Sequence, residues 1–563
     1  MSGTCPAWDC QAPAAVAGHS AEQMDGRLLA RGPRRWRPRP PHSDRRTTAW
    51  PRSLSSDPPS SKPIRVAICG AGPAGFYAAK RLFALDQHAN PARPLAIDLF
   101  EALPTPFGLS RYGVAPDHPE VKNCESKFEQ VARHPRLRYF GNTAVLGDGQ
   151  PPPSGPQASV RLTSLRQQYD GVLLAYGAGE DRTLGGLPGE TTLANILPAR
   201  AAVDWYNGYP RTAATAGERR KFVDLSQVER VTIIGMGNVA LDIARILLTD
   251  VDVLAKTDMD EAALSELSRS RVRHVEIVGR RGPLQAAFTT RELRELAGLP
   301  GLALDIDQPL LADAAARIAP PGVLGRMPNG RLAKRLLDVM IKASQPSSLR
   351  PTRSSCALRF LHTPLAFHGA QPSDTAAPAR VAAVDWIRNT LEYPADASRP
   401  VDHAALKAVP LRPLTIHASA TDLVLKSLGS VPHLVPPLTH DAWRSRARNE
   451  QGRALDAANQ SIPGLYVTGW LATGSKGVIG DTMTGAYDAA ATLFHDLHSL
   501  PASLARSEQR DDAEPALDNK QFCVDWHAWT VIDQAERHSG KLAGRPRVKL
   551  SSVHDMLAVA GLL

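Results

Sequence analysis

A glycine-rich turn between an apolar strand and a helix constrains this chain more than any other feature. The run from Ile64 to Ile68 predicts a buried strand, and the segment from Ala74 to Leu85 predicts a helix with one buried face. Between them, Gly70, Gly72 and Gly75 have the spacing GxGxxG. In such a motif the first glycine allows a tight turn, the second leaves room for a pyrophosphate, and the third lets the helix pack closely on the sheet.

A carboxylate further along the chain strengthens this interpretation. The run from Ala96 to Phe100 predicts a second strand, and Glu101 follows it directly. An acid about 20 residues or more beyond the last glycine, at the end of a strand, can accept hydrogen bonds from a ribose diol. Glycine-rich turns are common, so an ordinary strand–turn–helix is the competing interpretation. The combination with Glu101 favours a dinucleotide site that accepts free ribose hydroxyls.

A second unit of the same kind begins at Val231. The strand Val231–Ile234 leads into Gly-Met-Gly-Asn and a predicted helix from Val239 to Leu248, with Ala240 at the position of the third glycine. The next predicted strand, from His274 to Val278, is followed by Arg280 and Arg281 instead of an acid. An acid would repel a ribose 2′-phosphate, whereas two guanidiniums would bind it with charge-assisted hydrogen bonds. The second site therefore suits NADP, although a solvated basic turn is the alternative.

The composition is that of an ordinary soluble protein. Hydrophobic residues make up 43% and charged residues 22% of 563 residues, and no apolar run is long enough for a membrane span. The net charge is +10, and the first 62 residues supply half of it. The rest of the chain is therefore only mildly basic, which argues against nucleic-acid binding and allows a local basic patch for an acidic partner. The six cysteines include no CxxC pair, so we expect neither a disulfide framework nor a metal site.

Residues 1–62 form an Arg-, Pro- and Ser-rich extension with few large aliphatic side chains. We expect this extension to be disordered and to act as a mitochondrial or plastid transit peptide. The first 25 residues contain acids and no Lys or Arg, so a start at Met24 would give a more conventional presequence. A basic tail without a targeting role is the alternative.

One later segment predicts a basic amphipathic helix. Residues 306–330 look loop-like, and the helix is expected over 331–343 with Leu332, Leu336, Met340 and Ile341 on one side. Its other side and approach carry the cations Arg326, Arg331, Lys334, Arg335 and Lys342. Charge alone favours a solvated face over a docking site.

Five stretches together resemble a known family, the adrenodoxin reductase-type ferredoxin–NADP reductases. They are ICGAGPAGFYAAKRL, PFGLSRYGVAPDHPEVKN, IIGMGNVALDIARILL, VGRRGPLQAAFTTRELREL and GLYVTGWLATGSKGVIGDTMTGAYDAA. The resemblance covers residues 64–563. It implies an α/β protein with two Rossmann-like domains in a glutathione reductase-like arrangement, in which an NADP domain is inserted into a discontinuous FAD domain. Glycines at 177, 179 and 429 are candidate hinges, so we expect the FAD domain at 63–179 and 430–563 and the NADP domain at 180–429.

The resemblance also implies the roles of individual residues. The expected FAD contacts are Gly70, Gly72, Ala74, Gly75, Glu101, Leu109, Val145, Trp470, Gly477, Val478 and Ile479. The expected NADP contacts are Met236, Gly237, Asn238, Val239, Arg280, Arg281 and Glu292, with Gly477 also near the nicotinamide. His118, in the DHP motif, is expected near the flavin as a positioning or proton-moving residue, with a purely structural histidine as the alternative. Met236 replaces the glutamine that is common in the family.

The activity implied by the resemblance is NADPH:ferredoxin oxidoreduction. A hydride would pass from NADPH to FAD, and single electrons would then pass to an acidic [2Fe-2S] ferredoxin that docks on the basic helix. The implied location is the mitochondrial matrix, with peripheral contact to the inner membrane left open. The alternatives are a flavin subunit related to glutamate synthase and a redox-inactive NADP-binding scaffold. The lack of a CxxC pair argues against a disulfide reductase.

Overall fold

The computed structural model describes twelve parts of the chain: residues 63–89, 93–210, 222–320, 323–327, 329–345, 352–370, 378–393, 401, 406–441, 444–477, 479–499 and 514–563. The predicted N-terminal extension, with its expected transit peptide and the second possible start at Met24, lies outside the described residues. Within the described parts, no helix has the length and apolar character needed to cross a membrane.

The first part of the chain alternates strands and helices. Its elements are β1 (Ile64–Cys69), α1 (Pro73–Ala89), β2 (Leu95–Phe100), α2 (Leu109–Tyr112), α3 (Cys124–Ala132), β3 (Leu137–Phe140), β4 (Thr143–Leu146), β5 (Ala158–Arg161), α4 (Leu162–Gln168), β6 (Gly171–Leu174) and β7 (Glu180–Asp181). A 3-10 helix, Pro119–Asn123, directly precedes α3.

The middle part is the longest. Its elements are β8 (Ile196–Pro198), α5 (Ala199–Asn207), β9 (Arg230–Ile234), α6 (Asn238–Leu248), α7 (Val251–Leu254), α8 (Glu261–Ser268), β10 (His274–Val278), α9 (Thr290–Ala297), β11 (Leu302–Ile306), α10 (Gln308–Ile318), α11 (Val323–Arg326), α12 (Gly330–Ala343), β12 (Ser354–Arg359), β13 (His362–Gly369), β14 (Val381–Glu392), β15 (Lys407–Pro410), β16 (Ile416–Ala420) and β17 (Leu423–Lys426).

The last part returns to the first sheet. Its elements are β18 (Ser430–Val431), β19 (His440–Asp441), β20 (Arg446–Ala447), β21 (Asn449–Glu450), β22 (Arg453–Leu455), β23 (Ser461–Val467), α13 (Trp470–Thr473), α14 (Ile479–Ser499), α15 (Trp526–Leu542) and α16 (Val553–Val559). Three further 3-10 turns lie at Leu225–Gln227, Pro283–Gln285 and Lys520–Phe522.

The first sheet joins the two ends of the described chain. Its strand order is β21-β22-β23-β6-β1-β2-β3, and the strands from β23 to β3 run parallel. The β1 strand is buried on both faces, as expected for a central parallel strand of β-branched and apolar residues. Helices α1 and α14 pack together on this sheet. We call this sheet and the helices packed on it the outer unit.

The second sheet is built wholly from the middle of the chain. All six strands, in the order β11-β12-β10-β9-β17-β8, run parallel. A smaller antiparallel sheet, with β14 between β13 on one side and β15 and β16 on the other, adjoins it. We call the elements from β8 to β17 the inserted unit. The predicted α/β class, with one nucleotide-binding unit inserted into another, is confirmed.

Two short strands connect the units. Strand β7 leaves the outer unit and β18 returns to it, and the two pair antiparallel through Asp181 with Ser430 and Glu180 with Val431. The preceding glycines, Gly177 and Gly429, have φ values of +78° and +81°, a conformation that glycine adopts without strain. The domain boundaries predicted at 179 and 429 therefore fall beside a two-stranded ribbon.

The sequence-based prediction of a loop before the basic helix is wrong. Residues 306–330 do not form a loop, because α10 occupies Gln308–Ile318. Asp307 caps this helix by accepting the N–H of Leu310 at 3.0 Å. Leu311, Ala314 and Ile318 are buried at helical spacing on its inner side. The acidic cap and the alanine-rich run were the signals that favoured a helix here.

Two candidate nucleotide sites and the junction between them

The three glycines of the first turn meet different neighbours. A Cβ on Gly70 would lie 2.6 Å from the carbonyl carbon of Ala175, and one on Gly75 would lie 2.0 Å from the Gly70 oxygen. A Cβ on Gly72 would have only the Cα of Gly108 nearby, at 3.9 Å. Thus Gly70 and Gly75 are required by protein packing, whereas Gly72 faces open space at the start of α1. This is the arrangement that a pyrophosphate at a helix N-terminus requires.

Glu101 lies beside this turn. Its two carboxylate oxygens accept the N–H of Ala71 at 2.8 Å and the N–H of Leu103 at 3.1 Å. Burial raises the pKa of Glu101, and these backbone hydrogen bonds act in the opposite direction. The carboxylate is therefore held at the edge of the turn, where a ribose would follow the pyrophosphate.

The remaining predicted contacts of the first site come from three segments. Leu109 begins α2 directly after Gly108 and is 44% exposed. Trp470 begins α13, and the glycine before it approaches the start of α1, since a Cβ on Gly469 would lie 2.7 Å from the Cβ of Ala74. Ile479 begins α14 and packs on the outer unit's core, and Gly477 has a φ of +82°. Val145 lies in β4 and packs against the hydrophobic cluster that includes Phe100 and Val172. Val478 lies outside the described residues.

The second glycine turn repeats the design of the first. Gly235 has a φ of +130°, and a Cβ on it would lie 2.1 Å from the Ser427 oxygen. A Cβ on Gly237 would have no protein atom within 4 Å. Ala240 is fully buried where close helix packing is needed. Gly235, the first glycine of this motif, is therefore required by protein packing, as Gly70 is in the first turn.

Asn238 and Glu292 both contact Thr289 at the start of α9. The Asn238 side-chain oxygen accepts the Thr289 N–H at 2.8 Å. The Thr289 hydroxyl caps α9 by accepting the Arg291 N–H and itself donates to the Glu292 carboxylate. Val239, next to Asn238, is 43% exposed at the mouth of the turn. In this structure the Glu292 carboxylate thus holds the capping residue Thr289 at the start of α9.

The arginine pair follows β10. Arg280 is exposed, and its carbonyl accepts the side-chain N–H of Asn389 at 3.0 Å. Arg281 is half-buried, and burial together with the neighbouring charge of Arg280 lowers its pKa. Met236 lies beside this turn, since a Cβ on Gly279 would meet the Met236 side chain at 3.0 Å. An anion between the two guanidiniums would relieve their mutual repulsion.

Residues 117–122 of the outer unit contact the inserted unit through ion pairs. Asp117 holds Arg245 of α6, and the pKa of Asp117 lies below its ordinary value because these contacts with Arg245 outweigh the effect of burial. The Nε2 of His118 lies 2.7 Å from an oxygen of Glu295 in α9. His118 is thus placed where the two units meet, and its carboxylate partner was not foreseen from the sequence.

The basic helix is α12. Arg331, Lys334 and Arg335 are exposed, and Lys334 lies 2.8 Å from Asp338 one turn along. The side chain of Arg326 lies outside what the structure describes. The buried face consists of Gly330, Leu336, Leu337 and Met340. The prediction that Leu332 belongs to the apolar face is wrong, because this side chain is 63% exposed beside the cations.

Together these features define a protein with two dinucleotide-binding units in one chain, the first suited to free ribose hydroxyls and the second to a 2′-phosphate. No protein-family profile matches the chain. It is 39% identical over 501 residues to the mitochondrial NADPH:adrenodoxin oxidoreductase of Drosophila melanogaster, which covers 88% of this chain and 94% of the relative. It is 36% identical over 511 residues to the NADPH-ferredoxin reductase FprA of Mycobacterium tuberculosis, which covers 88% and 99%.

A solved structure agrees with these relatives. The Mycobacterium tuberculosis FprA complex with NADPH has a TM-score of 0.71 at 34% identity and covers 88% of this chain and 99% of the other. The chain therefore belongs to the family of NADPH:adrenodoxin oxidoreductases and NADPH-ferredoxin reductases.

Proposed function

We propose that this protein is an FAD-dependent NADPH:ferredoxin oxidoreductase. The observation that carries the proposal is the pair of glycine turns, one beside a carboxylate and the other followed by two arginines, in a chain of this family. NADPH is the form of the nicotinamide cofactor that carries the 2′-phosphate for which Arg280 and Arg281 are suited.

The first turn would hold FAD. The open space at Gly72 and the N-terminus of α1 suit a pyrophosphate, and Glu101 suits the ribose diol. Ala74 and Gly75 keep α1 against the turn. Leu109, Val145, Trp470, Gly477, Val478 and Ile479 would surround the rest of the flavin, as the family resemblance implies.

The second turn would hold NADPH. Met236, Gly237 and the start of α6 at Asn238 and Val239 suit its pyrophosphate. The adenosine end would reach the arginines, and Glu292 would act there indirectly by holding the start of α9.

The side chains of the protein position the two cofactors, and none of them is needed as a nucleophile. When bound, FAD supplies the conversion from two-electron hydride acceptance to single-electron donation. Hydride transfer requires the two reacting atoms to lie about 3–3.5 Å apart and aligned, so the contacts between the units matter for the rate. We assign His118 to this positioning role, because its hydrogen bond to Glu295 joins the units, and the pair can hold a proton between a ring nitrogen and a carboxylate oxygen there.

The partner would be an acidic [2Fe-2S] ferredoxin. Charge complementarity with Arg331, Lys334 and Arg335 on α12, extended by Arg326, supports docking at this helix. The exposed Leu332 adds an apolar contact in the middle of that surface. We found no feature of the described residues that favours a nucleic acid or a membrane as the partner.

We further propose that the protein acts in the mitochondrial matrix. The Arg-rich, Ser-containing composition of residues 1–62 supports this location, as do relatives named as mitochondrial proteins. The bacterial FprA relative shows that membership of the family does not by itself require this organelle. Expression of the full chain and of residues 63–563, each with a C-terminal fluorescent tag, tests the assignment: only the full chain should enter mitochondria.

The decisive test of the activity is stopped-flow mixing of the purified protein with NADPH and then with a [2Fe-2S] ferredoxin. We expect the flavin absorbance to bleach with NADPH and the ferredoxin absorbance to change afterwards. Bleaching without electron transfer to any ferredoxin would favour another flavoprotein function, such as a glutamate synthase-type subunit. A protein that binds NADPH and contains no flavin would be the redox-inactive scaffold.

A further inference from the structure

Three basic side chains from the outer unit converge on one short stretch of the inserted unit, residues 257–259. The Lys122 ammonium donates to both oxygens of Asp258, at 2.8 and 2.7 Å. The Lys549 ammonium lies 3.1 Å from one of the same oxygens. The Arg545 guanidinium donates to the carbonyl of Thr257 at 3.1 Å and to the carbonyl of Met259. The C-terminal segment after α15 therefore contacts the inserted unit directly.

Lys549 occupies an unusual position among these three. Its side chain is 0% exposed, whereas those of Lys122 and Asp258 retain 12%. The ammonium also points to the carbonyl of Arg111 at 3.4 Å and lies 5.9 Å from the ring of Tyr112, both in α2. Because α2 begins at Leu109 beside the first glycine turn, Lys549 links the inserted unit to the wall of the first site.

The charged groups that act on Lys549 are Lys122, Asp258 and Arg111, and further ion pairs extend from Arg111. Arg111 of α2 pairs with Glu536 of α15, Glu125 of α3 accepts the Ser110 hydroxyl, and Arg547 pairs with Glu536. Burial and the charge of Lys122 lower the pKa of Lys549 to about 7. A buried ammonium that shares one carboxylate with a second ammonium is a poor way to gain stability. Its geometry is better explained by a role in placing the two units.

We propose that Lys549, acting through Asp258, is a positioning residue that fixes the inserted unit against α2 and so sets the alignment for hydride transfer. This inference rests on the proposed function. Apart from side-chain contacts such as Asp117 with Arg245 and His118 with Glu295, the backbone joins the two units through the ribbon of β7 and β18, which has only two residues in each strand and a positive-φ glycine before each. Such a backbone connection permits rotation, and side-chain contacts between the two units restrict it.

Three variants test the proposal. Lys549→Met keeps the length and apolar stem of the side chain and removes its charge. Arg545→Gln removes the hydrogen bonds to the neighbouring carbonyls from a half-buried position, so it is the milder change if Lys549→Met folds poorly. Lys541→Met, at an exposed position near the end of α15, is the matched control.

Two measurements are made on the flavin-loaded proteins. The first is the limiting rate of flavin reduction at saturating NADPH, together with the dissociation constant of NADP⁺. The second is hydrogen–deuterium exchange of the backbone at residues 255–260, which needs no turnover. We expect Lys549→Met and Arg545→Gln to slow reduction about tenfold, with an NADP⁺ dissociation constant within about twofold of wild type, because misplacement of reacting groups lowers the rate without weakening binding. We also expect faster exchange at 255–260, and no change in Lys541→Met.

Reduction of both variants at the wild-type rate would overturn the proposal. So would equal losses of rate and NADP⁺ affinity, since these would show damage to the second site instead of misalignment. A wild-type protein that NADPH does not reduce would contradict the proposed function. In that case unchanged exchange at 255–260 in the variants would separately contradict the contact.

Discussion

Asp117 and Arg245 form a bidentate ion pair that joins the outer unit to α6, the helix that follows the second glycine turn. The guanidinium Nε and Nη2 donate to the two carboxylate oxygens at 2.7 and 2.9 Å, and Arg245 also holds Asp242 of its own helix at 2.8 Å. The Arg245 side chain is 3% exposed. Because α6 begins at the second turn, this pair couples the position of that turn to the outer unit.

Asp117→Asn should therefore damage both stability and catalysis. Loss of the Asp117 charge leaves the buried Arg245 with Asp242 at 2.8 Å and the more distant Glu295 at 3.5 Å, and breaking a buried pair costs about 3 kcal/mol of unfolding free energy. We expect a lower midpoint in urea and a rate of flavin reduction about tenfold lower. Asp313→Asn, which alters an exposed helical pair with Arg317, is the control and should change neither quantity. A wild-type unfolding midpoint in Asp117→Asn would contradict this prediction.

Gly72→Ala and Gly75→Ala should fail in different ways. The Cβ at position 75 would lie 2.0 Å from a backbone oxygen, so we expect a loss of about 3 kcal/mol or more in unfolding free energy. The Cβ at position 72 would meet only one protein atom, at 3.9 Å, so the protein should fold and lose flavin affinity. Thermal unfolding and the flavin-to-protein absorbance ratio distinguish the two. Full flavin occupancy in Gly72→Ala would show that the pyrophosphate does not bind at this turn.

Arg280→Ala combined with Arg281→Ala should weaken NADPH far more than NADH. The guanidiniums are assigned to the 2′-phosphate, and each charge-assisted hydrogen bond to such a group contributes about 1.5–3 kcal/mol. We expect the ratio of kcat/KM for NADPH to that for NADH to fall at least about 100-fold. Equal losses for the two cofactors would show that the arginines do not contact the phosphate.

Charge reversal on α12 should affect the protein partner alone. Arg331→Glu, Lys334→Glu and Arg335→Glu together should slow ferredoxin reduction and weaken its dependence on salt, while reduction of a small dye stays at the wild-type rate. Lys80→Glu, Lys127→Glu and Lys541→Glu make the same change in charge at three exposed sites on other helices. If the second set slows ferredoxin reduction as much as the first, docking at α12 is wrong.

The buried Lys549 should also give a pH signature in unfolding. Its pKa is lowered from 10.5 to about 7 in the folded protein, so between these two values the unfolded chain binds the additional proton. Stability from this group therefore rises as pH increases from about 7 to 10.5, with a slope of at most about 1.4 kcal/mol per pH unit. The difference in unfolding free energy between wild type and Lys549→Met, measured in urea across this range, should rise with pH. A constant difference would show that Lys549 keeps its ordinary pKa.

Local patterns in the chain were sufficient for the two nucleotide-binding turns. Each depends on a few residues close in sequence: an apolar strand, glycines at set spacing, and a following helix. Glu101 and the two arginines follow strands that lie next to those turns, and parallel pairing brings them to the same edge. The α/β class was therefore predictable before the structure, and the inserted arrangement followed from the family resemblance.

Two predictions about individual helices, α10 and α12, were wrong. Residues 306–330 were expected to be loop-like, yet α10 forms at 308–318, where a proline at the second helical position costs no helical hydrogen bond. Helical spacing placed Leu332 on one side with Leu336 and Met340, yet the buried face of α12 consists of Gly330, Leu336, Leu337 and Met340. Helical spacing alone does not predict which of the apolar residues in an amphipathic helix become buried in the core.

By itself the sequence determined the two glycine turns, the acid that follows one, the arginine pair that follows the other, and the family, because each depends on short runs of residues. Only the tertiary structure decided what joins the units: Asp117 with Arg245, His118 with Glu295, and Lys122 and Lys549 with Asp258. These partners lie from 128 to 291 residues apart along the chain. Their pairing depends on how the whole chain packs, and no local pattern of residue types encodes it.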